Sequence, residues 1–148
     1  MEEVGMERSD LVLAVLAAGD GAAHTPVQVQ KLLFLVDRRV ASGLAGPFFD
    51  FQPYFYGPFD RQVYGVLEDL ARQGKVEICL EGPLRAYRLT RAGQDAGIAL
   101  LKTMDAKVAA YIRSLSAIVR KMTFGELVSA VYRAYPEMKE NSVFQTAE

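Results

Sequence analysis

The sequence predicts a mostly α-helical domain that contains one small β-hairpin. Five segments carry apolar residues at three- and four-residue intervals, which is the period of an α-helix with one buried face. Two β-prone runs, residues 75–80 and 85–90, are joined by a turn that contains Gly-Pro, as in a hairpin. At 148 residues the chain is long enough to bury one core without a metal or a disulfide. We therefore expect a single domain over residues 1–148.

Composition excludes several classes of protein. The 17 basic and 18 acidic residues give a net charge of −1, so no global positive field attracts nucleic acid. A single cysteine, Cys79, cannot form an intramolecular disulfide, and the N-terminus lacks the basic start and apolar core of a signal peptide. No apolar run approaches the roughly 20 residues of a membrane span. We expect a cytoplasmic protein with no membrane segment.

The first two helices are predicted from their caps and their apolar faces. Ser9 or Asp10 can cap the first helix, which is apolar all round and ends in a Gly-Asp-Gly turn at residues 19–21. Thr25 and Gln28 form a capping box for a second helix that runs to about residue 40. The residues expected on its inward face are Val29, Leu32, Leu33, Val36 and Val40. The residues expected on its polar face are Gln28, Lys31, Asp37, Arg38 and Arg39.

The stretch FDFQPYFYGPFDRQVYGVLEDL concentrates aromatic residues directly before a helix. Alternation over residues 49–56 predicts a short strand, with phenylalanines on one face and Tyr54 and Tyr56 on the other. We expect Gly57-Pro58 to end this strand and Asp60 to cap a third helix that stops at Gly74. The residues expected to fill the core at this junction are Phe49, Phe51, Phe55 and Phe59.

The C-terminal part is predicted to be helical. Thr90 can cap a long helix to about residue 120, and Thr123 with Glu126 forms a capping box for a last helix that ends before Pro136. The long helix carries a heptad-like seam that either packs on the first two helices or forms a homodimer. The seam residues are Leu101, Met104, Val108, Ile112, Leu115 and Val119. Residues 137–148 are expected to be a partly ordered tail.

The order helix, helix, short strand, helix, hairpin, helix is that of a winged helix-turn-helix with additional C-terminal helices. In this interpretation the core covers about residues 9–95 and the helical extension about residues 96–136. The third helix would be the recognition helix and the hairpin the wing.

Several stretches resemble known bacterial families. LEDLARQGKV followed by YRLTRAG resembles the ending of winged-helix domains of the PadR and MarR types. KLLFLVDRR, FDFQPYFYGPFDRQVY and VYRAYPEMKENS are together similar to the SocA-like or Panacea-domain proteins and the related YwgA-like proteins. That group commonly carries a tryptophan shortly before its Gly-Pro, where this chain has Tyr54, Phe55 and Tyr56. The resemblance implies an antitoxin, or an adaptor that binds a toxin, and the PadR likeness favours a dimer.

Tyrosines offer large rigid rings with a polar tip, which suits a protein-binding surface. The candidate partner-binding residues are Tyr54, Tyr56, Arg61, Gln62, Tyr64 and Arg72. DNA binding is the alternative, although residues 60–73 carry a net charge of −1 (two basic, three acidic) and the hairpin only +1 (three basic, two acidic). The possible DNA contacts are Arg61, Gln62, Arg72, Lys75 and Arg85.

No arrangement of residues indicates an enzyme. The only histidine, His24, lies in a polar stretch before a helix cap, where we expect a solvated loop residue. Cys79 has no histidine or second cysteine nearby in the sequence, which favours a structural thiol. No metal-ligand spacing and no phosphate-binding glycine motif is present, so we expect no catalytic residue, metal or cofactor. The expected function is protein binding, and the family resemblance implies a toxin as the partner; the alternative is a dimeric transcription regulator that binds DNA.

Overall fold

The computed structural model describes residues 6–40, 44, 46–82 and 84–144. Within them the chain is mostly helical, with two small antiparallel hairpins rather than the one predicted. The elements, in order, are α1 (Arg8–Ala17), α2 (Pro26–Arg39), β1 (Gln52–Tyr54), β2 (Gly57–Phe59), α3 (Gln62–Arg72), β3 (Val76–Glu81), β4 (Leu84–Leu89), α4 (Arg91–Thr103), α5 (Ala106–Lys121), α6 (Phe124–Ala134) and a 3₁₀ turn (Pro136–Lys139).

Helix α1 is the centre of the core, as its all-round apolar sequence predicts. Every residue from 11 to 17 is buried, and the helix packs against α2, α3 and α4. The predicted cap at Ser9 or Asp10 is wrong, because the helix begins at Arg8. The Asp10 carboxylate instead accepts the backbone N–H of Glu7 (3.0 Å), which satisfies one of the unpaired amides at the helix start.

Helix α2 has the predicted capping box and the predicted apolar face. The Thr25 hydroxyl accepts the Gln28 N–H (3.3 Å), and the Gln28 side chain accepts the Thr25 N–H (2.9 Å). The polar remainder differs from the prediction, since Lys31 and Asp37 are buried. They are covered by the segment from residue 48 to residue 60, a long-range contact that helical periodicity does not encode.

The predicted strand over residues 49–56 is replaced by the β1–β2 hairpin. Gly57-Pro58 does not end the strand; it begins β2, and Tyr54 pairs with Gly57 across a two-residue turn. Gly57 has φ = +100°, which glycine adopts without steric cost, and a Cβ there would lie 3.2 Å from the Tyr132 ring. The turn therefore requires glycine at this position.

The β3–β4 hairpin is confirmed. It pairs in register from Val76 with Leu89 to Glu81 with Leu84, and it follows α3 directly through Gly74 (φ = +75°). Val76 lies in the core, whereas Leu80 near the tip is 75% exposed. The inner half of this hairpin is thus part of the core and the outer half extends beyond it.

The predicted long helix over residues 90–120 is two helices. Met104 has extended backbone angles (φ = −77°, ψ = 159°), and the Asp105 carboxylate accepts the Lys107 N–H (2.8 Å) to start α5. A short acidic side chain at this point competes with helix continuation and caps the next helix. Helix α4 then packs on α1, and α5 packs mainly on α2.

The last helix is confirmed with its capping box. The Glu126 side chain accepts the Thr123 N–H (2.8 Å), and the Thr123 hydroxyl accepts the Glu126 N–H (3.1 Å). Residues 137–144 of the predicted tail pack on the domain, with Met138 buried, while residues 145–148 lie outside the described residues. None of the described helices is long and apolar enough to cross a membrane.

Candidate functional site

The β1–β2 hairpin presents three neighbouring aromatic side chains to solvent. Tyr54 is 49% exposed, Phe55 54% and Tyr56 44%. The exposure of the two tyrosines agrees with the prediction, but the assignment of Phe55 to the core is wrong. Phe55 and Tyr56 occupy the turn, where the alternation of a strand ends. Phe49 is buried as predicted, and Phe51 and Phe59 are half-buried.

These rings belong to a connected aromatic surface. Tyr54 stacks on Phe59 at 5.1 Å between ring centroids, and Phe59 contacts Tyr64 of α3 at 5.6 Å. Tyr56 meets the edge of Phe124, the first residue of α6, at 5.2 Å. Such offset and edge-on contacts hold rings in fixed positions. We call this set the aromatic surface; its members are Tyr54, Phe55, Tyr56, Phe59, Tyr64 and Phe124.

Buried polar side chains of α2 hold the hairpin from below. The Gln30 amide donates to the Asp60 carbonyl and accepts the Asp60 N–H, both at 3.0 Å. The Lys31 ammonium donates to the Pro58 carbonyl (3.2 Å). The Asp37 carboxylate accepts the N–H groups of residues 48 (2.7 Å) and 49 (3.0 Å). The chain leading into and out of the hairpin is therefore fixed to one helix.

The C-terminal segment holds the hairpin tip from the other side. The Val143 N–H donates to the Phe55 carbonyl (2.9 Å), and the Asn141 amide donates to the Pro53 carbonyl (3.1 Å). The Ser142 hydroxyl accepts a hydrogen bond from the Tyr132 hydroxyl (2.6 Å). Both flanks of an exposed turn are thus bonded to the body of the protein, which keeps the exposed rings in place.

Two apolar cavities open beside the aromatic surface. The first, of about 190 Å³, is lined by Pro26, Val27, Gln30, Lys31, Tyr54, Phe55, Tyr56, Gly57, Phe59 and Tyr64. The second, of about 400 Å³, lies between the starts of α2 and α6 and is lined by Thr25, Pro26, Val27, Gln28, Met122, Thr123, Phe124 and Leu127. Pro26 and Val27 border both cavities, so the apolar area continues from the hairpin to α6.

Burial changes the protonation chemistry of two side chains in the first cavity. The pKa of Lys31 is lowered to about 8, because burial penalises the charged ammonium. The pKa of the Tyr64 hydroxyl is raised by burial as well. Among the described residues the Pro58 carbonyl is the one polar partner of the Lys31 ammonium, and no carboxylate forms an ion pair with it.

The predicted polar residues of α3 and the wing do not join the aromatic surface as one cluster. Arg61 and Gln62 are exposed at the start of α3, where Gln62 accepts a hydrogen bond from Arg8. Arg72 is exposed at the other end and is paired with Asp69. Of the remaining predicted DNA contacts, Lys75 is half-buried and Arg85 is exposed on β4. The structure brings together the predicted tyrosines, not the predicted arginines.

His24 is not the solvated loop residue that the sequence predicts. It is fully buried, and its backbone exchanges two hydrogen bonds of 2.8 Å with Tyr87 of β4. Neither ring nitrogen has a partner among the described residues. Burial, with a smaller effect of the Arg120 charge, lowers the His24 pKa to about 4, so the imidazole is neutral at pH 7.

Two further candidates from the sequence are the thiol of Cys79 and a metal site. The half-buried Cys79 thiol lies 3.6 Å from the Ala86 carbonyl across the β3–β4 hairpin. In the part of the chain that the structure describes, no three His, Cys, Asp or Glu side chains are grouped to hold a metal ion. The site thus consists of aromatic rings, apolar cavities and one buried ammonium.

Sequence reasoning missed three residues of this site. Phe124 stands at the first position of α6, where the capping box at Thr123 could have indicated that it lies at an exposed helix end. Val27 lies at the second position of α2, directly after the proline. Lys31 gave no local signal, because its burial depends on a segment 27 residues away.

No protein-family model, curated protein or solved structure matches the chain.

Proposed function

We propose that this chain is a non-enzymatic protein-binding module, antitoxin-like or an adaptor, that acts by occluding a surface of a partner protein. The observation that carries the proposal is the exposure of three adjacent rings, Tyr54, Phe55 and Tyr56, on a turn bonded on both flanks. Exposed aromatic rings are the side chains that most often anchor protein interfaces. Their fixed positions reduce the entropy lost on binding.

The shape and polarity around the hairpin support a protein rather than a nucleic acid as partner. The two cavities continue the apolar area toward α6, and Lys31 is the one charged residue among their described lining residues. A stable complex buries roughly 1,200–2,000 Å² in total, so the partner would cover the hairpin, the start of α3 and the start of α6 together.

A winged helix-turn-helix remains our proposal for the finer fold, and it carries the second candidate function. In its support, α3 packs on α1 and leads directly into the β3–β4 hairpin, whose outer half extends from the core. That arrangement is the one in which a recognition helix and a wing meet DNA. The charges of this region disfavour DNA binding, because Arg72 is paired with Asp69. Arg61, directly before α3, is then the main basic residue at that helix.

The test is a pull-down of the tagged chain from lysate of its source, treated with nuclease and washed at high salt. We expect wild type to retain one stoichiometric protein. The double variant Tyr54→Ala/Tyr56→Ala should lose at least about ten-fold in affinity for it, because interface anchors contribute about 2 kcal/mol or more. The control is Ile118→Ala, which removes an exposed apolar side chain from α5, away from the hairpin. Equal retention by all three proteins would contradict the site.

The same preparation tests the second candidate. A regulator would retain no protein and would shift its own upstream DNA at low salt, with an affinity that falls steeply as salt rises. Arg61→Ala would then weaken the shift more than Tyr54→Ala. A protein interface formed mainly by rings would respond little to salt.

A further inference from the structure

We propose that the cavity beneath the hairpin binds a glutamate-like side chain of the partner protein, whose carboxylate pairs with the Lys31 ammonium. This inference rests on the proposed function and assigns the chemistry of one contact within it. It is carried by the position of a buried cation in the wall of an open cavity.

Lys31 is only 4% exposed, yet its side chain lines a cavity that opens to solvent. An ammonium has three donors, and the described structure supplies one acceptor, the Pro58 carbonyl at 3.2 Å. Burial of a charged group is costly unless it is paired and hydrogen-bonded. The site is therefore short of one anionic acceptor.

The carboxylates closest along the chain to this site are already used elsewhere. Both oxygens of Asp60 accept backbone N–H groups, those of Asp50 and Gln62, each at 2.9 Å. Both oxygens of Asp37 accept the amides of residues 48 and 49. Among the described residues, no aromatic ring forms a cation–π contact with Lys31 either. None of the described carboxylates pairs with Lys31, so the anion in this proposal comes from outside the described chain.

The size and the walls of the cavity specify what carries that anion. About 190 Å³ is smaller than the roughly 300–1,000 Å³ of cofactor and drug sites, so it suits one side chain. Val27, Tyr54 and Phe59 form apolar walls that fit a methylene stem. One ammonium can pair with a single carboxylate through a charge-assisted hydrogen bond. A carboxylate on an aliphatic stem, as in glutamate, meets both requirements.

The experiment uses two neutral-ended probe peptides, acetyl-Leu-Glu-Leu-amide and acetyl-Leu-Gln-Leu-amide, titrated into the full chain and followed by backbone amide NMR shifts. We expect saturable shifts at Lys31 and Gly57 and about ten-fold tighter binding of the glutamate peptide, since the charge-assisted hydrogen bond is lost in the glutamine peptide. Equal affinities, or no saturable binding of either peptide, would overturn the inference.

Two variants complete the test. Lys31→Met, which removes the charge and keeps an unbranched side chain one atom shorter, should abolish the preference for glutamate, and Lys102→Met on an exposed part of α4 should retain it. A preference that survives in Lys31→Met would also overturn the inference. The same variants distinguish failure of this contact from failure of the proposed function. A partner that is captured by Lys31→Met but lost by Tyr54→Ala/Tyr56→Ala would support the function and contradict the Lys31 contact. A preference for the glutamate peptide without any captured protein would support the cavity site and contradict the function.

Discussion

Three polar side chains of α2 bind the backbone of the segment that crosses it. Gln30 and Asp37 each satisfy two backbone groups, so their burial is compensated by hydrogen bonds. Lys31 and, at the start of the helix, His24 are less well compensated, since each retains donors or acceptors without a partner in the described structure. These two residues are where pH should act on stability.

His24 should make the protein less stable as the pH falls. The pKa is 6.5 in an unfolded chain and about 4 in the folded protein, so between these values the unfolded chain binds a proton that the folded one does not. Stability attributable to His24 is complete above pH 6.5 and declines toward pH 4, by up to about 3 kcal/mol. Urea unfolding of wild type and His24→Leu at pH 7 and pH 4.5 should show their difference changing by about 2 kcal/mol. Parallel pH profiles would refute this.

Lys31 should make the protein more stable as the pH rises through the alkaline range. Its pKa falls from 10.5 to about 8 on folding, so between these values the unfolded chain is the more protonated and stability rises with pH. The free energy of unfolding of wild type relative to Lys31→Met should increase by up to about 3 kcal/mol from pH 7.5 to 10.5. The exposed control Lys102→Met should track wild type across this range; a similar trend in the control would contradict the assignment.

At the scale of elements, the contact between α1 and α4 requires a residue without a side chain. Gly97 of α4 lies against α1, where a Cβ would be 2.5 Å from both the Leu13 carbonyl and the Ala17 Cβ. The two helices can approach this closely only because position 97 has no side chain. Gly65, on the exposed side of α3, has no such neighbour within 4 Å.

Two alanine substitutions should therefore act in opposite directions. Gly97→Ala should destabilise the protein by about 1–3 kcal/mol, because it forces α1 and α4 apart. Gly65→Ala should stabilise it by up to about 1 kcal/mol, since alanine is the better helix former and nothing opposes its methyl group. Chemical denaturation of both variants checks the pair. An increase in the free energy of unfolding of both variants would show that helix propensity alone governs these positions.

At the scale of the whole molecule, α1 and α2 form a central pair on which the C-terminal helices pack. The predicted seam divides between the two C-terminal helices. Leu101, Ile112, Leu115 and Val119 are buried in the core of the chain itself, and Met104 and Val108 are partly buried. Packing within the domain, one of the two alternatives for the seam, is the arrangement in the structure. Homodimerisation through these residues has no support from it.

Leu115→Asp tests this packing. An unpaired carboxylate in the core should cost more than about 3 kcal/mol and abolish cooperative unfolding, whereas Ile118→Asp on the exposed side of α5 should cost under about 1 kcal/mol. Circular dichroism with light scattering distinguishes the alternatives. A folded Leu115→Asp protein of half the wild-type mass would instead identify a dimer seam.

The elements that can be predicted from the sequence are those whose signals are local. The capping boxes at Thr25 and Thr123, the apolar helix α1 and the β3–β4 hairpin all rest on residues within a few positions of one another, and all were predictable. The break at Asp105 was also local, but it was masked by the regular apolar spacing on either side. The exposure of Tyr54 agrees with the predicted alternation, whereas Tyr56 is exposed because it lies in the turn.

Which polar side chains are buried and which aromatic rings are exposed depends on how the elements pack together. Lys31 and His24 are buried by segments distant in sequence, and helical periodicity records a residue's own face but not what covers it. Phe55 is exposed because the chain turns there, and that turn is held by contacts with α2 and the C-terminal segment. Burial is a property of the assembled elements, so the site under the hairpin exists only once they have packed.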